Sequence, residues 1–273
     1  MTSARNRFFT LFGGWLSPLE HRLVYVGSYA EKVLNKQTPA DYGLEFEPLT
    51  LRADDGVALG AWALPNPKSD LWLLYFHGNG ETMAAYLPVT TKLHALGLNV
   101  LMLEYRGYGN SEGVPSEDGL YRDAQASYAW LLNRGVSPEK IVVYGFSLGS
   151  GVAVELASRT PVGTLILEAP YTSFPDVARA AYRVVPPKLM KNRFASKEKI
   201  ADIETPTLFI HAEDDRTVPY SQGETLYKLS PAPKKLVTIS GGHVALFNAP
   251  METVYEEIKA FLQAHVKFEP YPT

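Results

Sequence analysis

Residues Tyr144–Ala157 read YGFSLGSGVAVELA, a serine between two glycines at the junction of two unlike stretches. The residues before it, Ile141-Val142-Val143-Tyr144, are apolar and mostly β-branched, as in a strand covered on both faces. The residues after it, Leu148 to Ser158, are rich in small side chains and carry helical spacing. Between the two the backbone must reverse within about one residue, as in a strand–elbow–helix turn. Gly145 and Gly149 lack Cβ and let neighbouring backbone lie close. Ser147 in such an elbow would hold its Oγ above the sheet edge as a nucleophile. The plainer reading makes Ser147 the N-cap of the helix that follows. What decides is whether the rest of the chain supplies partners.

Composition narrows the field. The chain has 273 residues, 46% of them hydrophobic, enough for one sizeable core. Net charge is −3 with both signs mixed along the chain, so no basic stripe points to nucleic acid. There is no cysteine, which excludes disulfides, thiolate catalysis, zinc–thiolate sites and cysteine palmitoylation. No stretch approaches the roughly twenty apolar residues of a membrane span. At the N-terminus Arg5 and Arg7 precede FFTLFGGWL, Phe8 to Leu16. Gly13 and Gly14 interrupt this run and no small-x-small cleavage site follows closely, unlike a signal peptide. It reads either as a helix packed on the domain or as a short interfacial anchor giving weak peripheral membrane contact. The expected location is cytoplasmic, with the membrane surface as the alternative.

From about Gly43 strands alternate with helices, after a helical extension over residues 1–42. LEFEPLTLRA and VALGAWALP flank Asp54-Asp55-Gly56 and predict a hairpin. Strands follow at DLWLLYFH, NVLMLEY, the Ile141 stretch, TLILEA, TLFIHA and KLVTIS. Helices are expected over about Glu81–Leu96, Ser116–Asn133, the segment after Ser147, and Met251–His265. This order predicts a mostly parallel sheet with helices on both faces, and ligand chemistry at the carboxyl ends of its strands. A short cap excursion is expected at about 170–205.

Candidate chemical residues fall at such strand ends. His243 follows the last strand in SGGHVALF, where Gly241 and Gly242 let the backbone turn so that the imidazole can reach back toward the elbow. Neutral imidazole can accept a hydroxyl proton and later return it. Asp214 and Asp215 follow TLFIHA in HAEDDRTVP, and one of them could orient that imidazole while the other is a solvated acid. HGNG, His77 to Gly80, follows DLWLLYF and could aim backbone N–H groups at a developing oxyanion. The expected donors are the N–H groups of Asn79 and Leu148. His77 reads as a brace for that loop.

With these motifs in place, the chain resembles the α/β-hydrolase-fold serine hydrolases, in the branch of the α/β-hydrolase domain-containing proteins and related bacterial esterases. The resemblance runs from about Leu44 to the closing helix. It rests on HGNG, EYRGYGNSEGVPSEDGLYRDA, GFSLGSGVAVELA, EAPYTSF, HAEDDRTVP and GGH. It implies an α/β-hydrolase domain over residues 43–273, built on an eight-stranded sheet whose second strand is antiparallel. It also implies ester or thioester hydrolysis through an acyl-enzyme, without metal or organic cofactor. Carried over, Ser147 is the nucleophile, Asp215 the acid and His243 the base, with Asn79 and Leu148 as oxyanion donors. The family's spacing places the acid three residues before the valine of VP, here Val218, and so selects Asp215 over Asp214. The chain departs from some relatives in lacking N-terminal cysteines, in Ala212 where many carry glycine, and in its short excursion. Glu168, at the end of TLILEA, is an alternative site for the acid or a loop-bracing carboxyl. Arg106 either meets an acidic substrate group or braces its own loop. A small-molecule ester of short to medium acyl chain is the expected substrate, a thioester the alternative; a non-catalytic binding protein on the same fold is a third reading.

Overall fold

A computed structural model describes residues 20–22, 24–28, 36–181, 190–248 and 252–266. The expected hairpin is present: β1 (Glu47–Arg52) pairs antiparallel with β2 (Ala58–Leu64). Six further strands follow, namely β3 (Trp72–Phe76), β4 (Asn99–Leu103), β5 (Ile141–Phe146), β6 (Thr164–Glu168), β7 (Thr207–Ala212) and β8 (Lys234–Ile239). The eight form one sheet in the order β1-β2-β4-β3-β5-β6-β7-β8. Apart from the two antiparallel pairs made by β2, every neighbouring pair is parallel. The order doubles back at β3, with β4 on one side and β5 on the other. The ends of β3 and β5 thus flank a switch point, where α/β sheets open a crevice.

The central strands are buried along their whole length, and successive side chains enter two different cores. Trp72, Leu74 and Phe76 of β3, with Val143 of β5, join one cluster. It is covered by α2 (Glu117–Asn133) through Leu120, Ala124 and Tyr128, and by α3 (Leu148–Arg159) through Val152 and Leu156. Leu73 and Tyr75, with Val142 and Tyr144, join the other. That one is covered by α1 (Leu87–Ala95) and by the closing helix α7 (Glu252–His265). Ser116 caps α2 by accepting the Gly119 N–H at 3.1 Å, and Glu117 and Asp118 follow in the first turn, where the helix dipole favours anions. The helix expected over Glu81–Leu96 opens instead with a 3₁₀ turn, Met83–Tyr86, before α1 begins at Leu87, next to Pro88. Proline suits a first helical turn because its missing N–H would have no partner there.

Between β6 and β7 lie α4 (Phe174–Ala181) and two short 3₁₀ turns at Ser196–Glu198 and Ile200–Asp202, and between β7 and β8 lies α5 (Tyr220–Leu229). The Phe8–Leu16 stretch and the VVPP stretch of the excursion lie outside the described residues. Of the N-terminal extension, Val24 and Tyr25 are fully buried in the same core as α2 and α3. The hairpin opens the sheet at Glu47, while the packed core already includes chain from Val24.

The tightest point is where α3 meets β3. A Cβ on Gly149 would fall on the Phe76 carbonyl oxygen, and Gly145 is closed in the same way by the Gly149 carbonyl and Ala153. Backbone cannot yield as a flexible side chain can, so Gly149→Val should destabilise by about 3 kcal/mol or more. Urea unfolding should show a lower midpoint at an unchanged m-value.

Candidate functional site

Ser147 follows β5 directly and has φ 50° and ψ −117°, a conformation that is costly for a residue bearing Cβ. The elbow is held from both sides: Ser147 N–H donates to the Glu168 carbonyl at 2.9 Å, and Ser150 N–H donates to the Ser147 carbonyl at 2.8 Å. Ser147 stands at the N-cap position of α3, but its side chain makes no cap bond. Its Oγ lies 2.9 Å from Nε2 of His243 instead.

His243 sits between β8 and α6 (Ala245–Asn248), after two glycines with φ of 116° and 76°. Its ring packs against Phe146, with ring centres 5.3 Å apart. Nδ1 lies 2.7 Å from Oδ2 of Asp215, so the two ring nitrogens address Asp215 and Ser147 respectively. The other carboxylate oxygen of Asp215 accepts the N–H groups of Thr217 at 2.7 Å and Val218 at 2.9 Å. Burial alone would raise the Asp215 carboxyl. Donation from His211 and His243, the charge of a protonated His243 and the Val218 N–H outweigh it and hold Asp215 well below the usual carboxylate range.

The two adjacent aspartates divide as their opposed side chains require. Asp214 accepts the N–H groups of Gly241 and Gly242, both at 3.0 Å, and so fastens the loop that carries His243. The sequence reading does not single out His211. Its Nε2 donates to the Val218 carbonyl at 3.0 Å and lies 3.4 Å from Asp215 Oδ2, behind the acid. The available signal was a polar residue inside the apolar run TLFIHA, where every position is buried.

The glycine-rich loop after β3 lies against the elbow, since a Cβ on Gly149 would also meet the His77 carbonyl at 2.8 Å. The N–H groups of Asn79 and Leu148 have no acceptor among the described residues. His77 braces the loop from below. Its Nδ1 bonds the Gly78 carbonyl at 2.7 Å, its Nε2 lies 3.2 Å from Glu104 Oε1, and its ring packs on Tyr105 with centres 4.2 Å apart. Arg106 likewise braces rather than waits for a ligand: it bonds Asp123 at 2.8 Å and Asp55 at 2.7 Å. Glu168 accepts the Tyr144 O–H at 2.7 Å, whereas His243 takes Asp215. No group of three or more metal-ligating side chains occurs among the described residues.

A family model described as serine aminopeptidase, S33 matches residues 67–198. Protein bem46 of Schizosaccharomyces pombe is 34% identical over 234 residues, covering 81% of this chain and 78% of that protein. An α/β hydrolase from Vibrio vulnificus superposes with a TM-score of 0.75 at 24% identity, over 90% of this chain and 94% of that one. The chain belongs to the α/β-hydrolase family. The hydrolase is also 32% identical over 255 residues to the lysophosphatidylserine lipase ABHD12 of Danio rerio, covering 78% of this chain and 65% of that protein. Esterase Pf2001 of Pyrococcus furiosus shares its fold, with a TM-score of 0.74 at 24% identity, over 86% of this chain and 98% of that one.

Glu168 and Asp215 pull the hydrolase's stability in opposite senses. Complete burial pushes Glu168 up from 4.5 to about 8, only partly offset by the Tyr144 bond. The folded state thus holds a proton that the unfolded chain releases above about pH 4.5, and stability falls as pH rises from there to about 8. Asp215, shifted downward, contributes stability that is present at neutral pH and lost on acidification below about 4. Denaturant unfolding of Glu168→Gln across pH 2 to 9 is expected to show a flatter decline between about pH 5 and 8 than wild type, with the loss below about pH 4 retained.

Proposed function

We propose that the protein is a serine hydrolase that cleaves carboxylic esters of short to medium acyl chain through an acyl-enzyme. The observation that carries this reading is the continuous chain from Ser147 Oγ to His243 Nε2 at 2.9 Å and from His243 Nδ1 to Asp215 Oδ2 at 2.7 Å. In this reading His243 takes the Ser147 proton as Oγ attacks the ester carbonyl, and Asp215 stabilises the imidazolium that results. The N–H groups of Asn79 and Leu148 receive the oxyanion. His243 then returns the proton to the leaving alcohol. A water molecule, deprotonated by His243, attacks the acyl-enzyme and releases the acid and free Ser147. These steps use only the chain's own residues and water.

Thioesters suit the same geometry, since attack and oxyanion are alike; parallel assays with matched oxygen and thio esters separate the two. The filled and hydrogen-bonded triad argues against a binding protein. The short excursion supports a pocket of limited length, suited to chains of about C2 to C8. One relative is by name a lysophosphatidylserine lipase, so glycerol-linked lysolipids belong in the substrate panel beside simple esters. Among the described residues no helix is long and apolar enough to cross a membrane. A cytoplasmic protein whose Phe8–Leu16 stretch makes at most a peripheral lipid contact fits the sequence.

Ser147→Ala is expected to abolish turnover of a chromogenic butyrate ester and labelling by a fluorophosphonate while leaving the melting temperature nearly unchanged. Retained turnover in protein free of other esterases would refute the assignment. Asp215→Asn should lower kcat by about two to four decades with KM little changed, because the imidazole loses its orienting and charge-stabilising partner. Asp214→Asn should stay within about tenfold of wild type, its role being to fasten a loop by hydrogen bonds. Steady-state kinetics of both variants on one soluble ester separates the two aspartates.

A further inference from the structure

The described residues between Glu20 and Ser28 contribute no strand to the sheet and no member of the Ser147–His243–Asp215 chain, yet they are bonded to the loop that the reaction needs. The Gly27 N–H donates to the Asn79 carbonyl at 2.7 Å. The Asn79 side-chain amide donates back to the Val24 carbonyl at 3.1 Å, and the Tyr108 hydroxyl donates to the same Asn79 carbonyl at 3.3 Å. A Cβ on Gly27 would lie 2.8 Å from the Asn79 carbonyl oxygen, 2.8 Å from Tyr108 Cε1 and 3.0 Å from the Gly80 carbonyl carbon. Gly27 is not in the left-handed region, so glycine serves here to admit the loop, not to permit an unusual backbone. Val24 and Tyr25, fully buried, anchor the segment beside this contact. Its other end is tied to the return of the excursion. The Glu20 carboxylate accepts the N–H groups of Lys191 at 2.8 Å and Asn192 at 2.7 Å, and the Tyr25 hydroxyl donates to Asn192 Oδ1 at 2.7 Å.

We propose that Glu20–Ser28 is a positioning strap for the oxyanion loop, and that Gly27 is the residue on which its action turns. This rests on the reading of Asn79 as an oxyanion donor. A backbone donor is effective only if it is already aimed at the place where negative charge develops. Asn79 stands between Gly78 and Gly80, so the loop's own backbone supplies little stiffness. Bonds from outside hold the carbonyl and the side chain of Asn79 and so fix its Cα, while the Gly78 carbonyl, which shares a peptide plane with the Asn79 N–H, is held by His77 Nδ1 at 2.7 Å; the two together set the direction of that N–H. The strap touches no reacting atom and acts through Asn79 alone.

The test compares the wild-type chain with Gly27→Ala and with Tyr25→Phe, which removes the bond to Asn192 without pressing on Asn79. Three quantities are measured: kcat and KM on a soluble ester, the inhibition constant of phenylboronic acid, and the melting temperature. Ser147 Oγ adds to the trigonal boron as its proton passes to His243, and the tetrahedral boronate that results puts an oxygen in the oxyanion position. For Gly27→Ala kcat should fall by about tenfold to a hundredfold, less than for outright loss of an oxyanion donor. KM should stay within about twofold, and the boronic acid should weaken in step with kcat/KM. Tyr25→Phe should lower the melting temperature and leave kcat within about threefold. A purely structural segment would change only the fraction of folded enzyme, which leaves the inhibition constant untouched. Folded Gly27→Ala with kcat within threefold of wild type, or with reduced kcat and an unchanged inhibition constant, overturns the strap. Should Gly27→Ala fail to fold, Asn79→Ala keeps the backbone N–H and removes only the bond to Val24. It should lower kcat about threefold to tenfold and weaken the boronic acid equally, and no change in either overturns the proposal. A wild type that neither turns over esters nor reacts at Ser147 overturns the hydrolase reading and the strap's role with it. An active wild type with an unaffected Gly27→Ala overturns the strap alone.

Discussion

The contact on which the rest of this structure depends is the one between the first turn of α3 and the end of β3. Gly149 rests on the carbonyls of Phe76 and His77 with no room for a side chain between. That approach forces the chain to reverse within one residue after β5, and Ser147 takes up the unfavourable backbone angles that result. The strain persists because the surroundings over-determine it: two neighbouring backbone bonds and the fully buried strands on either side leave the elbow no other conformation. The same approach sets the N–H of Leu148 beside the His77–Gly80 loop. One packing constraint thereby shapes the elbow that carries Ser147 and holds the glycine-rich loop against it.

Two carboxyls at the ends of adjacent strands show how environment assigns roles. Asp215, after β7, is surrounded by donors and stays ionised even though it is buried. Glu168, at the end of β6, is equally buried but has a single tyrosine hydroxyl for company, and it keeps its proton at neutral pH. Residue type alone does not distinguish the two; the count of N–H and O–H groups directed at each carboxyl does.

Much of this was legible in the sequence, for identifiable reasons. The strands of a sheet buried on both faces are short apolar runs, so β3, β5 and β6 announce themselves without any need to assign faces. Ser147 and the glycines around it mark a turn that few other residue combinations can make. Asp215 and His243 follow strands, where parallel sheets collect their chemistry. Other features left no local trace. The pairing of Gly27 with Asn79 joins a single 3₁₀ turn, Val26–Ser28, to an irregular loop, and no periodicity in either predicts that they meet. Nor does the sequence indicate that Glu20 serves the backbone of Lys191 and Asn192, because one carboxylate in a mixed-charge chain looks like any other. His211 lay within a quoted motif, but its position behind Asp215 follows from the twist of β7 and the return of the chain at Val218.

The bonds of Glu20 and Tyr25 to Asn192 also impose an order in time. They join residues 172 and 167 positions apart, among the longest sequence separations in the molecule. During synthesis on the ribosome the segment around Tyr25 emerges long before Asn192, which is added 167 residues later. Contacts between remote parts of a chain carry the largest entropy of closure and form late. Glu20 and Tyr25 are thus among the last residues to find their partners, and until they do, the half-made protein carries an unpaired carboxylate and a bare aromatic ring that the finished one conceals.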